Sequence, residues 1–242
     1  MSIDPILDEN AQCVLRSLAA AGVAEGFYLA GGTGLALQLG HRRSLDLDFF
    51  QVSTHEKLAF RKVAAGIDSI FDARRARLTL RQMDQASWDI GGTRVTFLAY
   101  PFRLLFPLVP AGSLFPDLDG VFLAAPKEIA CMKAYAMGRR STFRDYIDLY
   151  FLLKRGVVTL PEIVAGATRK FVIGGESVFS PKLFLEQLVY TEDIEDKDAA
   201  AAMVTGGALT PPEVEAFLRE QVREFVDRQT SPSEHKEGPG SR

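Results

Sequence analysis

The stretch from Tyr28 to Phe50, YLAGGTGLALQLGHRRSLDLDFF, constrains the fold of this chain more than any other. An apolar run, Phe27–Ala30, meets the pair Gly31-Gly32. A segment that is apolar almost all round, Thr33–Leu39, follows, and Ser44–Phe50 then alternates acidic and apolar side chains. The pattern reads as strand, tight turn, short buried helix, strand. A helix entered through glycines leaves free backbone N–H groups at its start, and these groups with the helix dipole favour a phosphate. Glycine also lets the backbone come close to that ligand. Thr33 is placed to cap the helix or to give its hydroxyl to the same phosphate. On the second strand side chains alternate, so Asp46 and Asp48 share one face while Leu45, Leu47 and Phe49 share the other. Two carboxylates so close repel each other unless a cation lies between them. Mg²⁺ takes one or two carboxylates plus substrate phosphate oxygens. A phosphate cradle beside a metal clamp points to phosphoryl or nucleotidyl transfer. Taken singly, the glycine pair is also a plain tight turn and the acid pair a solvated strand edge.

Around this stretch the chain reads as α/β (α+β), with a mixed half at 1–118, a mostly helical half at 119–230 and a polar, Pro/Gly-rich disordered tail at 231–242. Residues 8–21 carry apolar side chains at helical spacing and stop at Gly22. Ser53-Thr-His-Glu56 reads as a capping box opening a helix towards Gly66. Strands are expected at 69–73, 78–83, 86–90 and 94–100, the last two joined by a hairpin at Gly91-Gly92. Helices are expected from Pro126 to about Met137 and over Phe143–Lys154. Thr159-Leu-Pro-Glu162 and Thr210-Pro-Pro-Glu213 read as capping boxes, and Ser180-Pro181 starts a further helix. The acidic run 192–198 reads as a solvated loop.

A second informative block lies in the helical half. Lys133 is four residues from both Ile129 and Met137, so it shares their apolar face and either snorkels or reaches a ligand. The next helix is apolar nearly all round and must be buried, yet it carries Asp145 and Asp148 side by side. Thr142-Phe-Arg-Asp145 has capping-box spacing, which alone would account for Asp145. Asp148 sits a turn deeper and needs a partner such as Lys133, Arg139 or Arg144.

Both blocks resemble one known family. Gly31-Gly32-Thr33, a short helix and Asp46-Leu-Asp48 are similar to the first motif of the DNA-polymerase-β-type nucleotidyltransferases. The wording of 28–50 is closest to the AbiEii/AbiGii-type toxins of bacterial toxin–antitoxin and abortive-infection systems. Lys133, Arg139 and Arg144-Asp145-Tyr-Ile-Asp148 resemble that family's later motifs, where a lysine and a downstream aspartate complete the nucleotide site. The resemblance covers residues 27–153. It implies a polymerase-β-like core, a nucleoside triphosphate as substrate and Mg²⁺ as cofactor on Asp46 and Asp48. It also implies Gly31, Gly32, Thr33, Lys133 and Arg139 at the nucleotide, with Asp145 or Asp148 orienting Lys133 or the attacking hydroxyl. The acceptor would be an RNA (tRNA-like) or protein hydroxyl, entering past His41-Arg42-Arg43 and Arg139-Arg140, and a cognate antitoxin is the implied partner. One departure stands out. The strand 93–100 lacks the third carboxylate usual in polymerase-β-type enzymes; Thr96 stands where it is sought, and Asp89 is the nearest substitute.

Two other readings stay open from sequence: a nucleotide-binding regulatory or interaction module with reduced catalysis, and a nucleotide-sugar glycosyltransferase, which also uses Asp-x-Asp. The net charge of −3 gives no global attraction for polyanions. Cys13 and Cys131 lack metal or disulfide spacing, and no apolar run approaches membrane-spanning length, so a cytoplasmic protein is expected.

Overall fold

The computed structural model describes residues 3–230 apart from 56, 138, 140 and 141. The expected tail at 231–242 lies outside the described residues. Helix α1 (Glu9–Ala20) is opened by Asp8, whose carboxylate accepts from the Ala11 N–H at 2.8 Å. It leads to β1 (Phe27–Leu29), α2 (Gly31–Leu39), β2 (Leu47–Gln51), α3 (Phe60–Ile70), β3 (Ala76–Arg81), β4 (Gln85–Ile90) and β5 (Thr93–Leu98). After β6 (Val109–Pro110) and β7 (Phe122–Leu123) the chain turns helical. The helices are α4 (Pro126–Met137), α5 (Phe143–Lys154), α6 (Leu160–Lys170), α7 (Pro181–Val189), α8 (Lys197–Ala201) and α9 (Pro211–Thr230), with a small hairpin of β8 (Val172–Ile173) and β9 (Glu176–Ser177) after α6.

Among the described residues, β1 to β7 form one mixed seven-stranded sheet in the order β3-β4-β5-β2-β1-β7-β6. β2 is central: it runs antiparallel to β1 and parallel to β5. Alternation along the strands divides the buried side chains. Phe27, Leu29, Leu47, Phe49, Val95 and Phe97 face a cluster shared with α1 and α3, whereas Tyr28 belongs to a cluster built mainly from α4 to α9. The helical half therefore covers the opposite face of the sheet, the face to which Asp48 and Phe50 also belong.

The structure departs from expectation in several places. Helix α3 begins at Phe60 rather than near residue 53, because Leu58 is buried and its N–H donates to the Met83 carbonyl at 3.0 Å, holding that segment along the β3–β4 turn. The strand expected at 69–73 does not form: residues 69 and 70 end α3, whose Val63 and Ile67 are buried one turn apart, and 71–73 lead into the turn before β3. Asp196, in the acidic run read as a solvated loop, accepts from the Phe143 N–H and the Thr142 hydroxyl, both at 2.9 Å, and so satisfies the start of α5. Cys13 is exposed and Cys131 buried, and both are free thiols. The Gly91-Gly92 hairpin, with φ of 59° and 95°, and the Thr159–Glu162 capping box form as expected.

Candidate active site

Three glycines let α2 start against other atoms rather than beside them. Gly31 has φ 61°, and a Cβ there would lie 3.0 Å from Asp48 Oδ2. A Cβ on Gly32 would sit 2.2 Å from an Arg42 guanidinium nitrogen, and one on Gly34 would lie 2.7 Å from the Leu29 carbonyl. So the glycines make room, in turn, for a carboxylate, a guanidinium and a strand. Ala30 caps α2 with no side-chain hydrogen bond, which leaves the first amides available. Thr33 does not cap the helix, of which it is the third residue. Its buried hydroxyl donates to the Asp46 carbonyl and lies 2.7 Å from Ser44 Oγ, so it fixes the loop before β2 instead of pointing to a phosphate.

Asp46 ends that loop and Asp48 lies within β2. Both line a small polar recess of about 40 Å³ together with Gly32, Arg42 and Lys133. Asp46 Oδ2 accepts from Arg94 Nη2 at 2.6 Å and lies 3.8 Å from Arg144 Nη1. Leu45, expected to share the face of Leu47 and Phe49, is exposed because the strand begins only at Leu47. Asp48 is in register with Thr96 of β5, whose hydroxyl is 3.2 Å from Ser87 Oγ of β4. The position of the missing third carboxylate is thus filled by two hydroxyls. Asp89 is engaged elsewhere, accepting from the Gly92 N–H at 2.9 Å and lying 3.7 Å from Arg77. Among the described residues no group of three or more His, Cys, Asp or Glu side chains could hold a metal. The pair of acids fits Mg²⁺ in the mode that borrows phosphate oxygens and water, not a closed all-protein cage.

Behind the recess lies a buried charge network. Lys133 Nζ, on α4, is 2.5 Å from Asp145 Oδ1 and 2.6 Å from Asp148 Oδ2, both on α5. Asp148 also accepts from Arg42 Nε at 2.6 Å and Nη2 at 2.9 Å, and lies 2.7 Å from His41 Nε2. Asp145 is therefore no capping residue: its carboxylate turns inward to Lys133. Of the partners expected for Asp148, Lys133 is correct, whereas the arginine is Arg42 from the loop after α2 rather than Arg139 or Arg144. Burial alone would raise the Asp148 carboxyl, but the charges of Lys133 and Arg42 and the hydrogen bonds from His41 and Arg42 hold it well below the usual carboxylate range. Burial lowers the His41 pKa despite Asp148, so the ring is neutral at pH 7. His41 and Arg42 are only 0% and 2% exposed, which removes them from any acceptor path. Their loop is fastened from a distance: Arg43 N–H donates to Met203 O, Thr205 N–H to His41 O, and Ser44 N–H to Ile6 O.

The recess adjoins a cleft of about 790 Å³ bounded by β2, β4, β5 and α4. Its floor is polar, with Ser87 and Thr96, and its walls are aromatic, with Phe50, Tyr100 and Tyr135. Arg139 stacks over Tyr135 at 3.5 Å from the ring centre and also lines the cleft. Arg140 lies outside the described residues. The structure thus brings Gly31, Gly32, Asp46, Asp48, Lys133 and Asp145 to the cleft and recess, keeps Arg139 at the cleft wall, and sets Asp148 behind them. Arg94, which carried no motif, was not expected there. Arg42 was expected beside the site on the acceptor path, not as the buried partner of Asp148.

Residues 13–230 match the family described as nucleotidyl transferase AbiEii toxin, type IV toxin–antitoxin system. An uncharacterised protein of Aquifex aeolicus is 30% identical over 215 residues, covering 88% of this chain and 94% of that protein. Among solved structures, MenT4, a nucleotidyltransferase toxin of Mycobacterium tuberculosis, superposes with a TM-score of 0.55 at 16% identity over 91% of this chain and 86% of its own. A candidate nucleotidyltransferase of H. pylori gives a TM-score of 0.54 at 15% identity over 92% and 97%. At these identities the two structures speak to the fold, which is that of a nucleotidyltransferase with a mixed sheet.

Proposed function

The chain belongs to the AbiEii nucleotidyl transferase toxin family, a transferase family of type IV toxin–antitoxin systems, and from that membership we propose that it moves a nucleoside monophosphate from an NTP to a hydroxyl of an RNA, tRNA-like, or protein acceptor. The observation that carries this reading is the convergence of Asp46, Asp48 and Lys133 on one recess at the glycine start of α2. The glycine-start amides of α2 take the terminal phosphates. Asp46 and Asp48 would hold Mg²⁺, which when bound offsets charge on the α-phosphate and the pyrophosphate leaving group. Lys133 presents a point charge to the triphosphate. Asp145 and Asp148 fix the Lys133 ammonium in place, and Arg42 holds Asp148. Asp148 acts by positioning and not as a base, since its carboxyl is buried, fully hydrogen-bonded and strongly acidic. The acceptor oxygen bonds to the α-phosphorus as the bond to pyrophosphate breaks.

Family membership sets aside the UDP-sugar reading. A cognate antitoxin is the partner this reading implies, and the cytoplasm its compartment. Among the described residues no helix is long and apolar enough to cross a membrane. The hydroxyl pair Ser87–Thr96 in place of a third acid favours one alternative, a nucleotide-binding module with reduced catalysis; that module would bind NTP in calorimetry and release no pyrophosphate. The test is incubation with each labelled NTP, Mg²⁺ and total RNA or protein. Asp46→Ala should cut labelling on the order of a thousandfold, the scale of several kcal/mol of lost charge stabilisation. Labelling equal to the parent protein would overturn the mechanism.

A further inference from the structure

Arg94 belongs to none of the motifs, yet it shares a position with two residues that do. Asp48, Lys133 and Arg94 each line both the large cleft and the small recess. Its strand explains why. On β5, Val95 and Phe97 are fully buried in the core, so Arg94, Thr96 and Leu98 face the cleft. Leu47 pairs with Val95 and Asp48 with Thr96, which sets Arg94 level with Asp46 one step earlier. There its Nη2 donates to Asp46 Oδ2 at 2.6 Å. The Arg94 side chain is 59% exposed, so packing does not lock it in that pose.

The oxygen that Arg94 neutralises belongs to one of the two carboxylates assigned above to the divalent ion. A dication arriving alone must displace the guanidinium and returns it only to water. A dication arriving with a triphosphate offers the guanidinium a new anion, and the planar fork of arginine matches phosphate oxygens two at a time. On the reading of the site given above, we propose that Arg94 is an exchanging phosphate ligand: it occupies Asp46 until the metal–triphosphate enters, then turns from that carboxylate to the triphosphate. Arg144 lines the recess alone and lies farther from the same oxygen, so it stays as the residual partner of Asp46. The arrangement makes the site select the metal–nucleotide complex over the free metal.

The exchange predicts effects of opposite sign, which a merely structural surface pair would not give. Mn²⁺ alone is titrated into the parent protein, Arg94→Met, Arg94→Lys and Asp46→Asn, with bound metal read by calorimetry or electron paramagnetic resonance; NTP turnover is measured in parallel. Arg94→Met should bind Mn²⁺ about two- to fivefold more tightly, the range an exposed ion pair is worth. The same variant should raise the KM for NTP about tenfold or more, the scale of charge-assisted hydrogen bonds. Arg94→Lys should restore the weak metal binding but only part of the KM, because it keeps the charge and loses the fork. If Arg94→Met binds Mn²⁺ no more tightly, or leaves the KM unchanged, while Asp46→Asn loses the metal, the exchange is wrong and the site assignment stands. If Asp46→Asn binds Mn²⁺ as the parent does, the metal assignment itself fails and takes the exchange with it.

Discussion

Helix α4 carries two buried ionic groups that differ in one respect: one is sealed inside the protein and the other reaches a cavity. Near its start, Glu128 meets Lys170 at 2.5 Å, both side chains 0% exposed. Glu128 also accepts the N–H groups of Leu105 and Phe106 at 2.9 and 3.1 Å, and Lys170 donates to the Arg103 carbonyl at 2.9 Å. Every partner is internal, so the pair pins the 103–106 loop onto α4 and α6. Farther along α4, Lys133 is held by two carboxylates and still lines both the cleft and the recess. A buried ion pair on its own is weak grounds for stability and weaker grounds for function. What sets Lys133 apart is that it reaches a cavity, as the proposed contact with a triphosphate requires.

That contrast can be broken most sharply by replacing each lysine. Lys133→Met should lower nucleotidyl transfer on the order of a hundred- to a thousandfold, the cost of losing one preorganised charge at the reacting phosphates. Lys170→Met should leave the rate of the folded fraction within about threefold, since a deleted fastening does not touch the transition state; equal losses in labelling assays would erase the distinction. Next in size is stability. Removing one partner of a sealed pair strands the other, so Lys170→Met should cost about 3–5 kcal/mol in urea unfolding, and Glu128→Gln combined with Lys170→Met should cost clearly less than the two singles added.

A smaller effect distinguishes the networks by pH. His41 has a folded pKa below its ordinary value, so the unfolded chain binds its proton first. Stability from this group is complete above about pH 6.5 and is lost as pH falls through that value, by at most about 1.4 kcal/mol per pH unit. Asp148, also depressed, adds loss in the same direction only below the ordinary carboxylate value. His41→Gln should flatten the slope of unfolding free energy between about pH 7 and 5.5, whereas Glu128 and Lys170 variants should keep it. The smallest effect is expected far from both networks. Thr159→Ala removes the capping box of α6 and should cost about 1 kcal/mol, with labelling rates unchanged.

Much of this was legible in the chain, and what was missed has a common cause. The spans Pro126–Met137 and Phe143–Lys154 follow from local signals, an initial proline and a dense apolar run, and the structure reproduces both. The glycine start of α2 and the core of β2 were readable because neighbours in sequence supply the pattern, although Asp46 falls in the loop just before that strand. Helix α3 was misplaced because its start is set by Leu58 bonding to Met83, 25 positions away in number (83 − 58). Arg42 was misread for the same reason. An arginine in a polar loop is ordinarily a surface residue, and only Asp148, 106 residues distant, makes it an interior one. Thr142 looked like a cap whose box closed on Asp145; the actual acceptor for the Phe143 N–H, Asp196, lies 53 residues beyond it in the chain.

The loop that carries His41 and Arg42 comes from the sheet half, yet its charge is matched on α5 and its backbone is tied at residues 203 and 205. A chain severed in the turn at Gly120 would leave one fragment with the Arg42 guanidinium unmatched and the other with two aspartates sharing the single charge of Lys133. The second fragment would also carry β7 away from β1 and β6, so each piece would expose what the other now covers.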